Sequence, residues 1–328
     1  MTTNSEKKRV SKRQFLPVKI RAYIILMRPF TLLAPLIGGL CAGLMALGHL
    51  GLLKAPEFSG AYPFLKWEVY HLQLIYGAVT LVILNAASNV LNQVYDIDID
   101  RVNKPSRPIP SGKVSVNEAK AIAWILYGVV LFRSLMINGV FAGLVFVLAI
   151  FTIVYSVPPV RLKKRLWISN ISIGLARGLL GIVAPWCIFG SIFEPTPWLV
   201  GTIIGIFLVG AATTKDYTDL MGDKKYGIKT LPAVYGIKRS IAIISPFFVI
   251  PFLLVPVATW EIEGRVLFPE PAKGIILLII WGGYIVHLLR KEGRKRDKHF
   301  ENSPVWVHMY LMLMALQIAF AVAFIIPG

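Results

Sequence analysis

Two acidic clusters in this chain have the residue types and spacing to bind a hard cation. The first is Asn92-Gln-Val-Tyr-Asp96-Ile-Asp98-Ile-Asp100; the second is Asp216-Tyr-Thr-Asp219-Leu-Met-Gly-Asp223. Asn92, Asp96 and Asp100 recur at i, i+4 and i+8, and Asp216, Asp219 and Asp223 at i, i+3 and i+7. On a helix each set shares one face. Asp98 points away from the Asp96/Asp100 face and reads as a solvated or structural carboxylate. Hard oxygen ligands suit Mg2+, which often binds through a few carboxylates plus phosphate oxygens. A basic loop follows each cluster. Two metals with a diphosphate between them, met by Lys and Arg, is the chemistry this pattern offers. His, Cys and a catalytic-serine elbow are missing from these positions, so zinc chemistry and acyl transfer are poor readings.

A metal-bound diphosphate is a good leaving group. If a long hydrocarbon forms the rest of the substrate, a membrane site is the natural place to hold it. An allylic diphosphate ionises there, with metals and basic residues stabilising the departing charge. The allylic cation needs shielding from water and gains from aromatic faces. Tyr95, Tyr155, Tyr217 and Trp186 are the candidates that the sequence offers for that role.

The elements that position these residues are apolar. The chain of 328 residues is 56% hydrophobic and 16% charged, against about 25% charged in an average protein. Its mean hydropathy is +0.66. This composition describes an all-α polytopic membrane protein. The net charge of +18 does not indicate nucleic acid binding, because the charge sits in the connections between apolar runs. Cys41 and Cys187 lie inside apolar runs and read as small buried hydrophobes.

A membrane span needs about 20 largely apolar residues. Nine candidates satisfy this: 22–48, 71–95, 119–136, 138–156, 168–191, 198–214, 240–259, 273–289 and 305–326. Most of the 35 basic residues fall in the N-terminal tail and in the loops after the second, fourth, sixth and eighth spans. The positive-inside rule puts those loops in the cytoplasm. Both acidic clusters then lie at the cytoplasmic face of a multi-pass protein of the cell membrane. The expected organisation is a basic cytoplasmic tail, 1–21, without a cleaved signal peptide, and a transmembrane domain, 22–328. The segment 50–70, with Tyr62, Trp67 and Tyr70, is the longest outer connection and is expected along the membrane interface. Arg177 falls in the middle of a span, where an isolated charge is costly. It is expected to face the bundle interior, against a carboxylate or a ligand.

These residues carry a resemblance. Asn92-xxx-Asp96-xxx-Asp100 followed by Asn103-Lys-Pro-Ser-Arg107-Pro-Ile-Pro-Ser-Gly112 resembles the first signature of the UbiA superfamily of intramembrane prenyltransferases. Asp216-xx-Asp219-xxx-Asp223 followed by Gly227-Ile-Lys-Thr-Leu-Pro232 resembles the second. Tyr155-Ser-Val-Pro-Pro159-Val-Arg161-Leu-Lys163 is similar to the stretch after the fourth helix. The resemblance implies nine helices in a bundle around a central cavity capped on the cytoplasmic side. It implies Mg2+-dependent transfer of a polyprenyl group from its diphosphate, such as geranylgeranyl diphosphate, to a lipophilic acceptor. Carried over by motif, Asn92, Asp96 and Asp100 serve one metal and Asp219 and Asp223 a second. Arg107, Tyr155, Arg161, Lys163, Lys215 and Asp216 are then substrate contacts. Many members have Asp directly after the first Asn, whereas this chain has Gln93.

The acceptor is open at this level. The Arg107-Pro-Ile-Pro-Ser-Gly112 wording resembles members that prenylate geranylgeranylglyceryl phosphate in archaeal-type ether lipid synthesis. It also resembles chlorophyll synthases and, more distantly, quinone-forming aromatic prenyltransferases. Basic loops suit a phosphate-bearing acceptor, which favours the first. The alternative from another class is an ion-coupled secondary transporter, since intramembrane carboxylates also bind coupling ions. Transporter sites usually lie near the midplane, whereas these clusters lie at helix ends.

Overall fold

The computed structural model describes residues 18–53, 63–261, 266–293 and 303–326. Residues 1–17, most of the expected basic tail, lie outside the described residues, as does Tyr62. All regular structure among the described residues is helical. The first apolar run is divided into α1 (Val18–Met27) and α2 (Pro29–His49), where continuity over 22–48 was expected. The break falls at Arg28, whose φ of 57° is left-handed. Pro29 is the physical reason: it disfavours helical backbone in the residue before it and is itself well suited to a first helical position.

α3 (Pro63–Tyr95) is 33 residues long and runs into the first acidic cluster. Trp67 and Tyr70 belong to this helix, so the outer connection is shorter than the expected 50–70. A short helix, α4 (Ile97–Asn103), continues beyond Asp96, and α5 (Val116–Leu135) starts at a capping box built by Ser115 and Glu118. α6 (Gly139–Ser156) follows the Asn138 cap. Next come α7 (Leu166–Ile173), a π-helical stretch at Gly174–Leu179, and α8 (Leu180–Trp186). The second acidic cluster lies on α10 (Asp216–Lys225), reached from α9 (Pro195–Ala211) through a tight turn of 3-10 helix. The chain closes with α11 (Leu231–Ile244), α12 (Ile250–Val257), α13 (Leu278–Glu292) and α14 (Pro304–Ile325).

Eight helical segments among the described residues are long and apolar enough to cross a membrane. The third expected span, 119–136, is the 20-residue α5, which carries Glu118, Lys120 and Arg133 and so falls outside that set. Its charges lie towards its two ends. Glu118 pairs with Lys19 at 2.8 Å, and Arg133 lies 3.7 Å from the Tyr76 ring centre while donating to the Tyr76 carbonyl at 3.0 Å. Ile125, Phe132 and Leu135 on α5 and Phe146 and Ile150 on α6 are exposed. Such a surface is unfavourable in water and suits contact with lipid.

The bundle packs α2 against α3, α8 and α14, and α9 against α8, α12 and the π-helical stretch. Phe207 of α9 meets Phe248 and Phe252 at ring separations of 5.6 and 6.1 Å in the core. Glycine allows the closest approach: a methyl group at Gly174 would lie 2.7 Å from the Gly205 carbonyl oxygen, and one at Gly178 would overlap the Gly205 backbone. Lipid tails supply little drive for helix pairing, so small-residue contacts of this kind carry it. Gly178→Leu is therefore expected to lose at least about 1–3 kcal/mol of stability, since backbone cannot yield as a side chain can. A clear drop in Tm in detergent checks this, with Gly128→Leu, whose surroundings are open, as the variant that leaves Tm unchanged.

Candidate active site

The two acidic clusters meet at one end of the bundle, where α4 packs against α10. The i, i+4, i+8 relation survives the end of α3. The Asp96 amide donates to the Asn92 carbonyl at 2.9 Å and the Asp100 amide to the Asp96 carbonyl at 2.8 Å, so the turn at Asp96 barely disturbs the shared face. Asn103 clamps the two acidic helices: its Nδ2 donates to the Asp219 carbonyl at 3.0 Å, and its Oδ1 accepts from the Gly222 amide at 2.9 Å. A side chain at Gly222 would collide with that amide group.

Asp96, Asp100, Asp216 and Asp223 are each only 4–8% exposed. Buried carboxylates need counter-ions and hydrogen bonds. Arg107 places Nη1 2.6 Å from both oxygens of Asp100. Arg161 donates to Asp96 at 3.0 Å and to the Tyr95 carbonyl at 2.7 Å, and Lys163 pairs with the other Asp96 oxygen. Thr230 donates to Asp223 at 3.3 Å. Lys104 pairs with Asp219, joining the first basic loop to the second acidic cluster. Burial pulls the Lys104 ammonium below its ordinary value, and the Asp219 charge opposes this. Lys215 donates to the Tyr155 hydroxyl at 3.0 Å, and Asn92 Nδ2 lies 3.4 Å from the Ser156 hydroxyl. Asp98 is exposed and pairs only locally with Arg101 at 3.0 Å, as its position on the other face implies.

From this polar end a cavity of about 660 Å³ extends into the bundle. Asn92, Lys104, Arg107, Tyr155, Lys215 and Asp219 line its polar end, and Leu81, Leu84, Leu148 and Leu313 are among its apolar walls. The volume falls in the range of small-molecule sites. Asp96, Asp100, Asp216 and Asp223 stand behind this lining. Among the expected aromatics only Tyr155 lines the cavity. Tyr217 is buried and shares a 3.0 Å hydrogen bond with Ser240, and Trp186 packs against His49 at the other end of the bundle. Tyr95 is half-buried outside the lining. The aromatic wall is formed by Phe30, Phe151, Trp306 and Tyr310, with Phe30, Trp306 and Tyr310 in mutual contact at 4.7–5.6 Å.

Sequence reasoning also passed over Arg28 and Lys104. Arg28 lines the cavity within reach of the charges of Arg107, Asp100 and Asp219, and its buried Nε has no hydrogen-bond partner among the described residues. The helix break that presents it is held by an amide ladder on α3. Gln93 donates to the Leu26 carbonyl at 2.6 Å, Asn89 to the Met27 carbonyl at 3.0 Å, and Asn85 to the Thr31 carbonyl at 3.1 Å. The break leaves the Leu26 and Met27 carbonyls without helical partners, and Pro35, which has no N–H, leaves the Thr31 carbonyl without one. Gln93 at this position is therefore a fastening for the break at Arg28. Gln93→Leu leaves the Leu26 carbonyl buried and unsatisfied, with an expected stability loss of about 1–3 kcal/mol. Thermal unfolding in detergent measures it; an unchanged Tm contradicts this role.

A membrane-embedded helical bundle with an acidic, cation-ringed pocket opening onto an apolar cavity defines a class of enzymes acting on charged lipids. The UbiA prenyltransferase family model matches residues 58–313, and the chain belongs to that family. The chain is similar to the digeranylgeranylglyceryl phosphate synthase of Methanocaldococcus jannaschii, 32% identical over 302 residues, covering 90% of this chain and 95% of that protein. A solved structure of a digeranylgeranylglyceryl phosphate synthase aligns with a TM-score of 0.63 at 26% identity, covering 94% of this chain and 99% of that one. A UbiA homologue from Archaeoglobus fulgidus bound to DMAPP and Mg2+ aligns with a TM-score of 0.65 at 22% identity, covering 92% of this chain and 98% of that one. At that identity the likeness concerns the fold.

Proposed function

We propose that this chain transfers an isoprenyl group, with Mg2+, from geranylgeranyl diphosphate to geranylgeranylglyceryl phosphate. The observation that carries this reading is the cavity's two-part chemistry. Its polar end offers oxygen ligands and cations suited to a metal diphosphate, and the rest is an apolar bed for a hydrocarbon chain. Support for the acceptor comes from the relatives named for that lipid and from the basic side chains at the mouth. Support for the metal comes from the homologue bound to Mg2+ and from the donor set itself.

The residues fit Mg2+ in a particular way. Among the described residues no three acidic, His or Cys side chains form a ready-made metal shell. Asp96, Asp100 and Asp219 instead hold Arg161, Lys163, Arg107 and Lys104. Mg2+ commonly takes only one or two carboxylates and completes its shell with phosphate oxygens and water. Two ions are proposed, one held by Asn92, Asp96 and Asp100 and one by Asp219 and Asp223. When bound, they supply charge neutralisation that makes the diphosphate a better leaving group.

Lys104, Arg107, Arg161 and Lys163, with Lys215 and Tyr155, would donate to the phosphate oxygens, and Asp216, a carboxylate, would meet the substrate only through such a cation or a bound metal ion. The bond between C1 of the isoprenyl chain and the diphosphate oxygen breaks, and its electron pair leaves with the diphosphate. The acceptor hydroxyl oxygen bonds to C1, and its proton passes to the released diphosphate. Phe30, Phe151, Trp306 and Tyr310 exclude water from the allylic cation and stabilise its charge. The positive-inside rule orients this site to the cytoplasm, with the tail 1–21 on that side and 22–328 as the catalytic domain.

Asp96→Asn and Asp219→Asn keep the shape of the site and weaken its hold on cations. Each is expected to lower Mg2+-dependent product formation about a hundredfold or more in folded protein. Full activity in either variant contradicts the two-metal assignment. Activity confined to aromatic acids or tetrapyrroles contradicts the acceptor.

A further inference from the structure

Arg177 takes no part in the diphosphate site described above, yet it lines the same cavity. It lies in the middle of the Leu166–Trp186 membrane segment, in the π-helical stretch Gly174–Leu179. A guanidinium at such a depth is costly and calls for an interior partner. No carboxylate among the described residues forms an ion pair with it. Its charge lies near that of Lys215, a repulsive neighbour that leaves it more in need of an anion. π-Helical turns inside α-helices are frequent at functional sites. Here the turn is held from behind, because Gly174 and Gly178 sit directly on the Gly205 backbone. Ile173, Ala176 and Gly181 also line the cavity, so Arg177 belongs to its inner stripe.

We propose that Arg177 binds the oxyanion headgroup of the prenyl acceptor. The paired cations Lys104, Arg107, Arg161 and Lys163 surround the aspartates and serve the donor. Arg177 stands outside those pairs, on the wall formed by the π-helical stretch, and offers a planar fork of donors matched to phosphate or carboxylate. A neutral lipophilic acceptor gains nothing from it. An anionic one is anchored with its nucleophile held in the same cavity as the donor's C1. This assignment rests on the prenyl-transfer reading and adds to it a reason for acceptor choice.

The test uses the full chain in lipid nanodiscs with Mg2+ and geranylgeranyl diphosphate. Wild type, Arg177→Gln and Arg177→Lys are compared on geranylgeranylglyceryl phosphate and on the same lipid without its phosphate. Arg177→Gln is expected to raise the acceptor KM at least about tenfold for the phosphate lipid and to leave the neutral lipid unaffected. The donor KM stays within about twofold, which also shows that the variant is folded, and Arg177→Lys recovers part of the loss. An unchanged acceptor KM overturns the proposal, as does a donor KM that rises in parallel. If wild type turns over neither lipid, the proposed acceptor is wrong, and the comparison is made with an aromatic acid and its amide. Loss confined to the acid supports Arg177 as the oxyanion site; equal effects on acid and amide overturn it.

Discussion

Charge compensation at one end of a membrane bundle governs the arrangement of the rest. Asp96, Asp100, Asp216 and Asp223 are buried there, and removing an ionised carboxylate from water costs several kcal/mol or more unless cations meet it. The cations come from connections that have no apolar reason to be ordered. Arg107 and Lys104 lie in the connection after α4, and Arg161 and Lys163 in that after α6. The pairs thus fold these connections over the cavity mouth. The Lys104–Asp219 pair and the Asn103 clamp tie the first acidic helix to the second, so that the clusters form one site. In the proposed reaction the same cations, which here compensate the carboxylates, would serve the phosphate oxygens of the substrate.

The walls are positioned by weaker means. α1 and α2 part at Arg28, and the amides of Gln93, Asn89 and Asn85 occupy the carbonyls around the break. That junction brings both a cation and Phe30 to the cavity. On another wall, glycine contacts between α9 and the π-helical stretch fix the backbone that carries Arg177. Trp306 and Tyr310, one helical turn apart on α14, stack with Phe30 and complete the aromatic wall. Polar chemistry and hydrocarbon binding therefore share one continuous cavity while resting on separate packing devices.

The acidic helices were legible in the sequence because helical periodicity puts their carboxylates on shared faces, and the α3–α4 junction and α10 deliver that placement. The apolar runs were legible for the same local reason. The break at Arg28 was overlooked although the Arg28-Pro29 pair announces it through proline's restriction of the preceding residue. Gln93 looked like a departure from the family pattern, and its reason is tertiary: the carbonyl it serves is on another helix. Which aromatic faces the cavity is a tertiary matter that local spacing does not carry: Tyr95, Tyr217 and Trp186 lie outside the lining, and the wall is built by Phe30, Phe151, Trp306 and Tyr310 from three other helices. Lys104 was visible only as one cation in a basic loop; its partner Asp219 is brought to it by the packing of α4 on α10.

The central claim is that this acidic, cation-ringed pocket holds a diphosphate through a divalent metal. Calorimetric titration of geranylgeranyl diphosphate into the detergent-solubilised chain, with and without Mg2+, tests it most directly. The account predicts strong mutual dependence: the two ligands together bind at least about tenfold more tightly than either alone, the size of an ordinary thermodynamic coupling. Equal affinity for the diphosphate with Mg2+ and with a chelator contradicts it, because the basic side chains alone would then account for binding.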